Sequence, residues 1–315
     1  MKKRRNIYID NMDLDRAKKI YYEKLNIETN WEEIPVLEAL NRITFEAQYA
    51  KISSPNYNAA AMDGILVESK KTLGANSTNL KTLKEGEDFI YINTGNVVKD
   101  PYDAVIMIED VIELEENKVQ ILKSAHPWQH IRPIGEDIVA TEMIIPSKHR
   151  IRPIDLGALL AGGIDKIKVY KKPKIGILPT GTEITEKIGK IETGEITDSN
   201  SRVFEALVME NGGIANRYSP IEDDYELLKQ AVLKGVEEND ILLIGAGSSA
   251  GTKDFVAHVI EELGELVVHG VALKPGKPTI LGIVDNKPVI GIPGYPVSSY
   301  LVFETFVTPL ILKYI

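Results

Sequence analysis

The chain contains no cysteine, so disulfides, thiolate metal sites and cysteine nucleophiles are excluded. No apolar run approaches the roughly 18 residues of a membrane-spanning helix, and the expectation is a soluble, cytoplasmic protein. Met1-Lys2-Lys3-Arg4-Arg5 has the charge of a signal-peptide start, but no apolar stretch follows; it reads as a solvated basic tail. Positive charge is in deficit, with 37 Lys and Arg against 46 Asp and Glu and a net charge of -9. That balance argues against general nucleic-acid binding. An anionic ligand would need local positive features, because the global field repels it. The five histidines, His126, His130, His149, His258 and His269, show no H-x-x-x-H spacing, and neither a G-x-S-x-G turn nor a Walker loop is present.

What remains is an ordinary globular composition, 315 residues with 43% hydrophobic and 26% charged. It is long enough for two or three domains with a sizeable core. Asp13 caps an expected helix with Leu14, Ala17, Ile20, Tyr21 and Leu25 at helical spacing. A second helix is expected from about Val36 to Ala47. From Ile52 to Gln129, short β-rich runs such as Phe89–Ile92 and Ala104–Ile108 are broken by turn residues, the pattern of a small, mostly β module. Arg132 to Tyr170 is mixed, with an apolar helix at Leu156–Ala161 closed by Gly162-Gly163. This stretch is expected to rejoin the N-terminal helices.

After Lys171-Lys172-Pro173, strands and helices alternate. Strands are expected at Ile175–Leu178 and Ile241–Ile244. Helices are expected at Arg202–Met209, Phe255–Leu263 and Tyr225–Val236, the last with Leu227, Leu228, Ala231 and Val232 on one face. A hairpin is expected around Asp285-Asn286-Lys287, and a closing helix from Val297 to Leu312. That alternation predicts an open α/β sheet. Ligands of such sheets bind beyond the carboxyl ends of the strands. Three loops fall there: Pro179-Thr180-Gly181-Thr182-Glu183, Gly245–Gly251 and Pro293-Gly294-Tyr295-Pro296. Glycine lets backbone N–H groups approach an anion closely, and Ser248 and Ser249 add hydroxyl donors. The Gly245–Gly251 run does not fit the dinucleotide fingerprint, which leaves a nucleotide-dependent dehydrogenase as a distant reading. Lys274-Pro275-Gly276-Lys277-Pro278 presents two cations from a stiff loop. Glu183, Asp198, Asp223 and Asp254 lie in or beside the loops after strands, where carboxylates facing a phosphate could hold Mg²⁺.

Eight elements, taken together and in order, resemble the MoeA/gephyrin family of molybdopterin molybdenumtransferases. They are Ala61-Met62-Asp63-Gly64, Asn93-Thr94-Gly95, Asp103-Ala104-Val105, Ile131–Asp137, Pro179–Glu183, Asp198-Ser199-Asn200, Lys274–Pro278 and Pro293–Pro296. The resemblance implies an α/β multidomain fold. An elongated, mixed α/β first domain (1–51 plus 130–172) would carry an inserted small, mostly β domain (52–129), followed by an open α/β molybdopterin-binding domain (173–315). It implies insertion of molybdate into adenylyl-molybdopterin with release of AMP, Mg²⁺ as cofactor, and a homodimer with sites between subunits. The substrate would come from an upstream molybdopterin adenylyltransferase. Carried over by motif, Asp63, Thr94, Glu183, Asp223 and Asp254 would be catalytic, with Glu183, Asp223 and Asp254 on the metal. Thr180, Gly181, Gly247, Ser248, Ser249, Lys274, Lys277, Pro293, Gly294 and Pro296 would bind the pterin substrate.

Four positions depart from the family pattern. Asn58 and Thr182 stand where an aspartate is usual, Gly270 where a lysine is usual, and Tyr295 where an asparagine is usual. They keep open the alternative of a molybdopterin-binding paralogue without ligation activity. The sequence ends at Ile315, without the small C-terminal β domain usual in the family, so the expectation is a truncated or shortened member.

Overall fold

The structure, a computed structural model, describes residues 11–246 and 255–315. The basic tail Met1–Arg5 and the expected site residues Gly247, Ser248, Ser249 and Asp254 lie outside the described residues. The chain forms two compact units: Glu33–Val169, and the residues up to Glu32 together with Tyr170–Ile315.

In the unit Glu33–Val169, the β-rich stretch forms two three-stranded antiparallel sheets. Gly64–Val67 lies between Phe89–Ile92 and Ala104–Met107, and Lys118–Ile121 between Lys81–Lys84 and Val111–Leu114. Ile65, Val67, Leu83, Phe89, Ile106, Val119 and Ile121 close a common apolar core. Gly64 is a steric requirement. A Cβ there would lie 1.9 Å from the Ile106 carbonyl oxygen, so only glycine lets the neighbouring strand approach. A second core gathers Val36, Ile145, Ile151, Leu159 and Val169 around the helix Pro153–Ala161. The helix expected at Val36–Ala47 is absent, and only a 3₁₀ turn forms, at Val36–Glu38. Beyond it, Thr44 N–H donates to the His149 carbonyl and Phe45 N–H to the Lys168 carbonyl, each at 3.0 Å. Ile43-Thr44-Phe45 is a β-branched and aromatic triplet with weak helix preference, and those long-range bonds take its donors.

The other unit is a three-layer α/β arrangement. In chain order it contains β1 (Lys174–Leu178), α1 (Asn200–Glu210), β2 (Ile214–Arg217), α2 (Tyr225–Glu238), β3 (Ile241–Ala246), α3 (Phe255–Leu263), β4 (Glu265–His269), β5 (Ile280–Val284), β6 (Lys287–Pro293), α4 (Pro296–Val302) and α5 (Thr308–Tyr314). A π-helical turn, Phe303–Val307, joins α4 to α5. The sheet order is β2-β1-β3-β6-β5-β4. β1 pairs in parallel with β2 and β3, and β3 with β6, whereas β5 runs antiparallel to both its neighbours. Asp285 and Asn286, with φ of 49° and 59°, form the two-residue turn between β5 and β6; Asp and Asn tolerate this conformation. Lys287, expected in that turn, begins β6.

The central strands are apolar throughout because both faces are covered. Ile175, Ile177, Ile241, Leu243, Ile290 and Ile292 enter a core with Phe204 and Leu207 of α1 and the aromatics Phe303 and Phe306. The alternate residues Leu178, Leu242, Ile244 and Val289 enter the opposite core with Leu228 and Val232 of α2 and Val259 and Ile260 of α3. Leu227, expected on the buried face of α2, is exposed. The helix Leu14–Lys24, capped as expected by Asp13, packs here, with Ala17 and Tyr21 in the first of these cores. The Tyr21 hydroxyl donates to the Gly282 carbonyl at 3.0 Å.

Candidate active-site pocket

The chain leaves β1 toward β2 on one side, and its other neighbour, β3, arrives later from the opposite side. The strand order therefore switches at β1, and such a switch point opens a crevice at the carboxyl edge of the sheet. Register aligns that edge: Leu178 lies opposite Ile244, and Ala246 opposite Pro293. A pocket of about 610 Å³ occupies the crevice. Its walls come from the loop after β1, the start of α1 and the loop after β6, including Thr180, Glu183, Asp198, Asn200, Pro293 and Tyr295.

Each wall is fixed locally. The Thr180 hydroxyl donates to the Gly245 carbonyl, tying the β1 loop to the end of β3. Gly181 N–H donates to Ile221 O at 3.0 Å. Gly181 has φ of 129°, a backbone conformation that L side chains rarely adopt, so conformation requires glycine there. At the start of α1, Asp198 is buried, accepts from the Ser201 hydroxyl and from Ser201 N–H at 3.2 Å, and pairs with Arg217 at 3.5 Å. Arg217 also pairs with Glu186 at 2.5 Å. The Asn200 side-chain amide donates to the Gly294 carbonyl at 2.7 Å, joining α1 to the β6 loop. Pro296 then occupies the first turn of α4.

Of the expected residues, the pocket brings together Thr180, Glu183, Pro293, Gly294 and Pro296. Gly181 lies within the β1 loop and holds its shape. Asp223 is exposed in the turn before α2 and does not line the pocket. Lys274 and Lys277 are exposed, also outside the wall, although Pro278 of their loop is part of it. Neither lysine makes an ion pair among the described residues. Among those residues no group of three or more His, Asp or Glu is gathered closely enough to hold a metal ion.

Asp63 and Thr94 belong to the unit Glu33–Val169, where they bind each other. Asp63 Oδ1 accepts from Thr94 N–H at 2.6 Å and from the Thr94 hydroxyl at 2.8 Å. These donors, the backbone N–H first, hold the Asp63 carboxyl below its usual range. Around them, the Tyr57 hydroxyl donates to Gly95 O at 3.1 Å, and Asn58 Oδ1 accepts from Ile134 N–H at 3.1 Å. Arg132 pairs with Glu136 and Asp137 within the same motif.

Sequence reasoning missed the pairing of buried Asp198 with Arg217 and the Asn200–Gly294 bond as supports of the pocket. The Asp198-Ser199-Asn200 run was the only available signal. Nothing local in the sequence ties Arg217 to it.

Two family models cover most of the chain. The MoeA N-terminal region (domain I and II) matches residues 12–163, and a probable molybdopterin binding domain matches residues 176–313. A protein of Methanocaldococcus jannaschii assigned to molybdopterin biosynthesis is 38% identical, over 94% of this chain and 79% of its own length. The molybdopterin molybdenumtransferase of Haemophilus influenzae is 30% identical, over 96% of this chain and 77% of its own. The crystal structure of the molybdopterin biosynthesis MoeA protein from Pyrococcus horikosii superposes with a TM-score of 0.83 at 34% identity, covering 97% of this chain and 80% of that one. No helix among the described residues is long and apolar enough to cross a membrane.

Proposed function

Because the chain belongs to the MoeA family of molybdopterin molybdenumtransferases, and so to molybdenum cofactor biosynthesis, we propose that it inserts molybdate into adenylyl-molybdopterin and releases AMP. The observation that carries this reading is the pocket at the carboxyl edge of β1 and β3, walled by the family's Pro179–Glu183, Asp198–Asn200 and Pro293–Pro296 motifs.

The chemistry requires a polyanionic substrate to be held while a phosphoanhydride is cleaved. The pocket supplies apolar wall from Ile177, Phe204 and Leu243 for a flat ring system, with Thr180 and Asn200 as polar groups that fix orientation. Lys274 and Lys277, exposed and without an ion pair among the described residues, would supply positive charge for anionic oxygens from beside the pocket, against a chain that is negative overall. Asp198 is committed to Ser201 and Arg217, whereas Glu183 makes no ion pair among the described residues. That donor set fits Mg²⁺ held by one carboxylate together with phosphate oxygens of the substrate. Glu183 would hold it, and the ion would neutralise charge developing on the phosphoanhydride.

The test is incubation of the purified protein with adenylyl-molybdopterin, Mg²⁺ and molybdate. AMP release that depends on molybdate is expected. Tight pterin binding without AMP release would instead establish a non-catalytic molybdopterin-binding paralogue. That second reading is favoured by Asn58, whose carboxamide oxygen is engaged with Ile134 N–H where the family usually has a carboxylate. We also propose a homodimer in which Asp63 and Thr94 of one subunit complete the site of the other, supplied by a molybdopterin adenylyltransferase.

A further inference from the structure

The pocket contains a large side chain that the fold does not use. Tyr295 lines it, yet is 77% exposed. Its hydroxyl has no hydrogen-bond partner among the described residues, and its ring packs into neither apolar core of the unit. The backbone beneath it is held from both sides. On one side Pro293 ends β6 beside Ala246, and the Gly294 carbonyl is held by Asn200. On the other side Pro296 fixes the first residue of α4, and the Tyr295 carbonyl accepts from Ser299 N–H at 2.9 Å. A free aromatic face on an immobilised backbone loses little entropy when a flat ring stacks on it, and it gains apolar contact from a surface already facing water.

We propose that Tyr295 is a substrate-positioning residue, which stacks against a planar nitrogen heterocycle of the ligand in this pocket. The inference rests on the function proposed above, whose substrate carries two such rings, the pyrimidine ring of the pterin and the adenine. The stacking chemistry is common to both, and the experiment separates them.

Equilibrium binding of AMP and of molybdopterin lacking the adenylyl group is measured separately on the full chain, for the unsubstituted protein, Tyr295→Phe and Tyr295→Ala. The thermal midpoint of each protein is recorded alongside. Tyr295→Ala is expected to weaken one of the two ligands about tenfold, the order of a single base–aromatic stack. The other ligand should be unaffected, and Tyr295→Phe should stay within about twofold of the unsubstituted protein. Unchanged affinity for both ligands in Tyr295→Ala overturns the inference alone. So does an equal loss for both, which marks a deformed pocket, and so does a loss in Tyr295→Phe as large as in Tyr295→Ala. An unsubstituted protein that binds neither ligand overturns the functional reading, and the inference with it.

Discussion

Single residues in this chain divide into those that hold backbone and those left free for a ligand. Asp155 belongs to the first kind. Its buried carboxylate takes Arg152 N–H at 2.8 Å and the Arg152 guanidinium at 2.8 and 3.0 Å, and lies 2.7 Å from His149 Nε2. Led by the Arg152 guanidinium, these groups hold its carboxyl well below the usual carboxylate range. A carboxyl depressed on folding stabilises fully above its ordinary value and loses that contribution as pH falls through the folded one. Asp155→Asn is therefore expected to lose about 2 kcal/mol at neutral pH and to flatten the decline in stability below the ordinary carboxylate range. Denaturant titrations of both proteins across acid pH check this, and parallel curves would refute it. Asp63 and Thr94 illustrate what is legible at this scale. Their motifs were readable separately, but their mutual hydrogen bonds join positions 31 residues apart, and no local pattern encodes that contact.

Elements were legible wherever one periodicity ruled. Phe89–Ile92, Phe255–Leu263 and the long apolar strand at Ile241 match their expected positions closely, since each has either a fully apolar run or a clear helical face. The stretch after Val36 was misread because its apolar residues fit a helical spacing while its donors were claimed by His149 and Lys168, more than a hundred residues away. Gly64 sits in a motif that reads as functional, yet its place in the strand is decided by packing. Gly64→Ala would force the Ile106 backbone away and should cost about 3 kcal/mol. A thermal midpoint within a degree of the unsubstituted protein would mean that the paired strands yield without cost.

At the scale of the whole molecule, the order of motifs was the strongest signal in the sequence, and both family models follow that order. The proposed homodimer makes a direct prediction. Light scattering at micromolar concentration should report twice the chain mass, and Glu183→Ala and Asp63→Ala variants, each expected to be inactive alone, should regain AMP release when mixed. A monomeric mass at all concentrations, or no recovery on mixing, would confine the site to one chain. The sheet beneath the pocket carries a consequence of another kind. Its strand register is set by two apolar cores, while the polar part of the pocket wall, Thr180, Glu183, Asn200 and Tyr295, belongs to neither. Substitutions at the exposed ones, such as Tyr295, are therefore nearly invisible to selection for foldability. The site can drift in specificity, exchange an asparagine for a tyrosine, or lose a charge, in a lineage whose protein goes on folding as before.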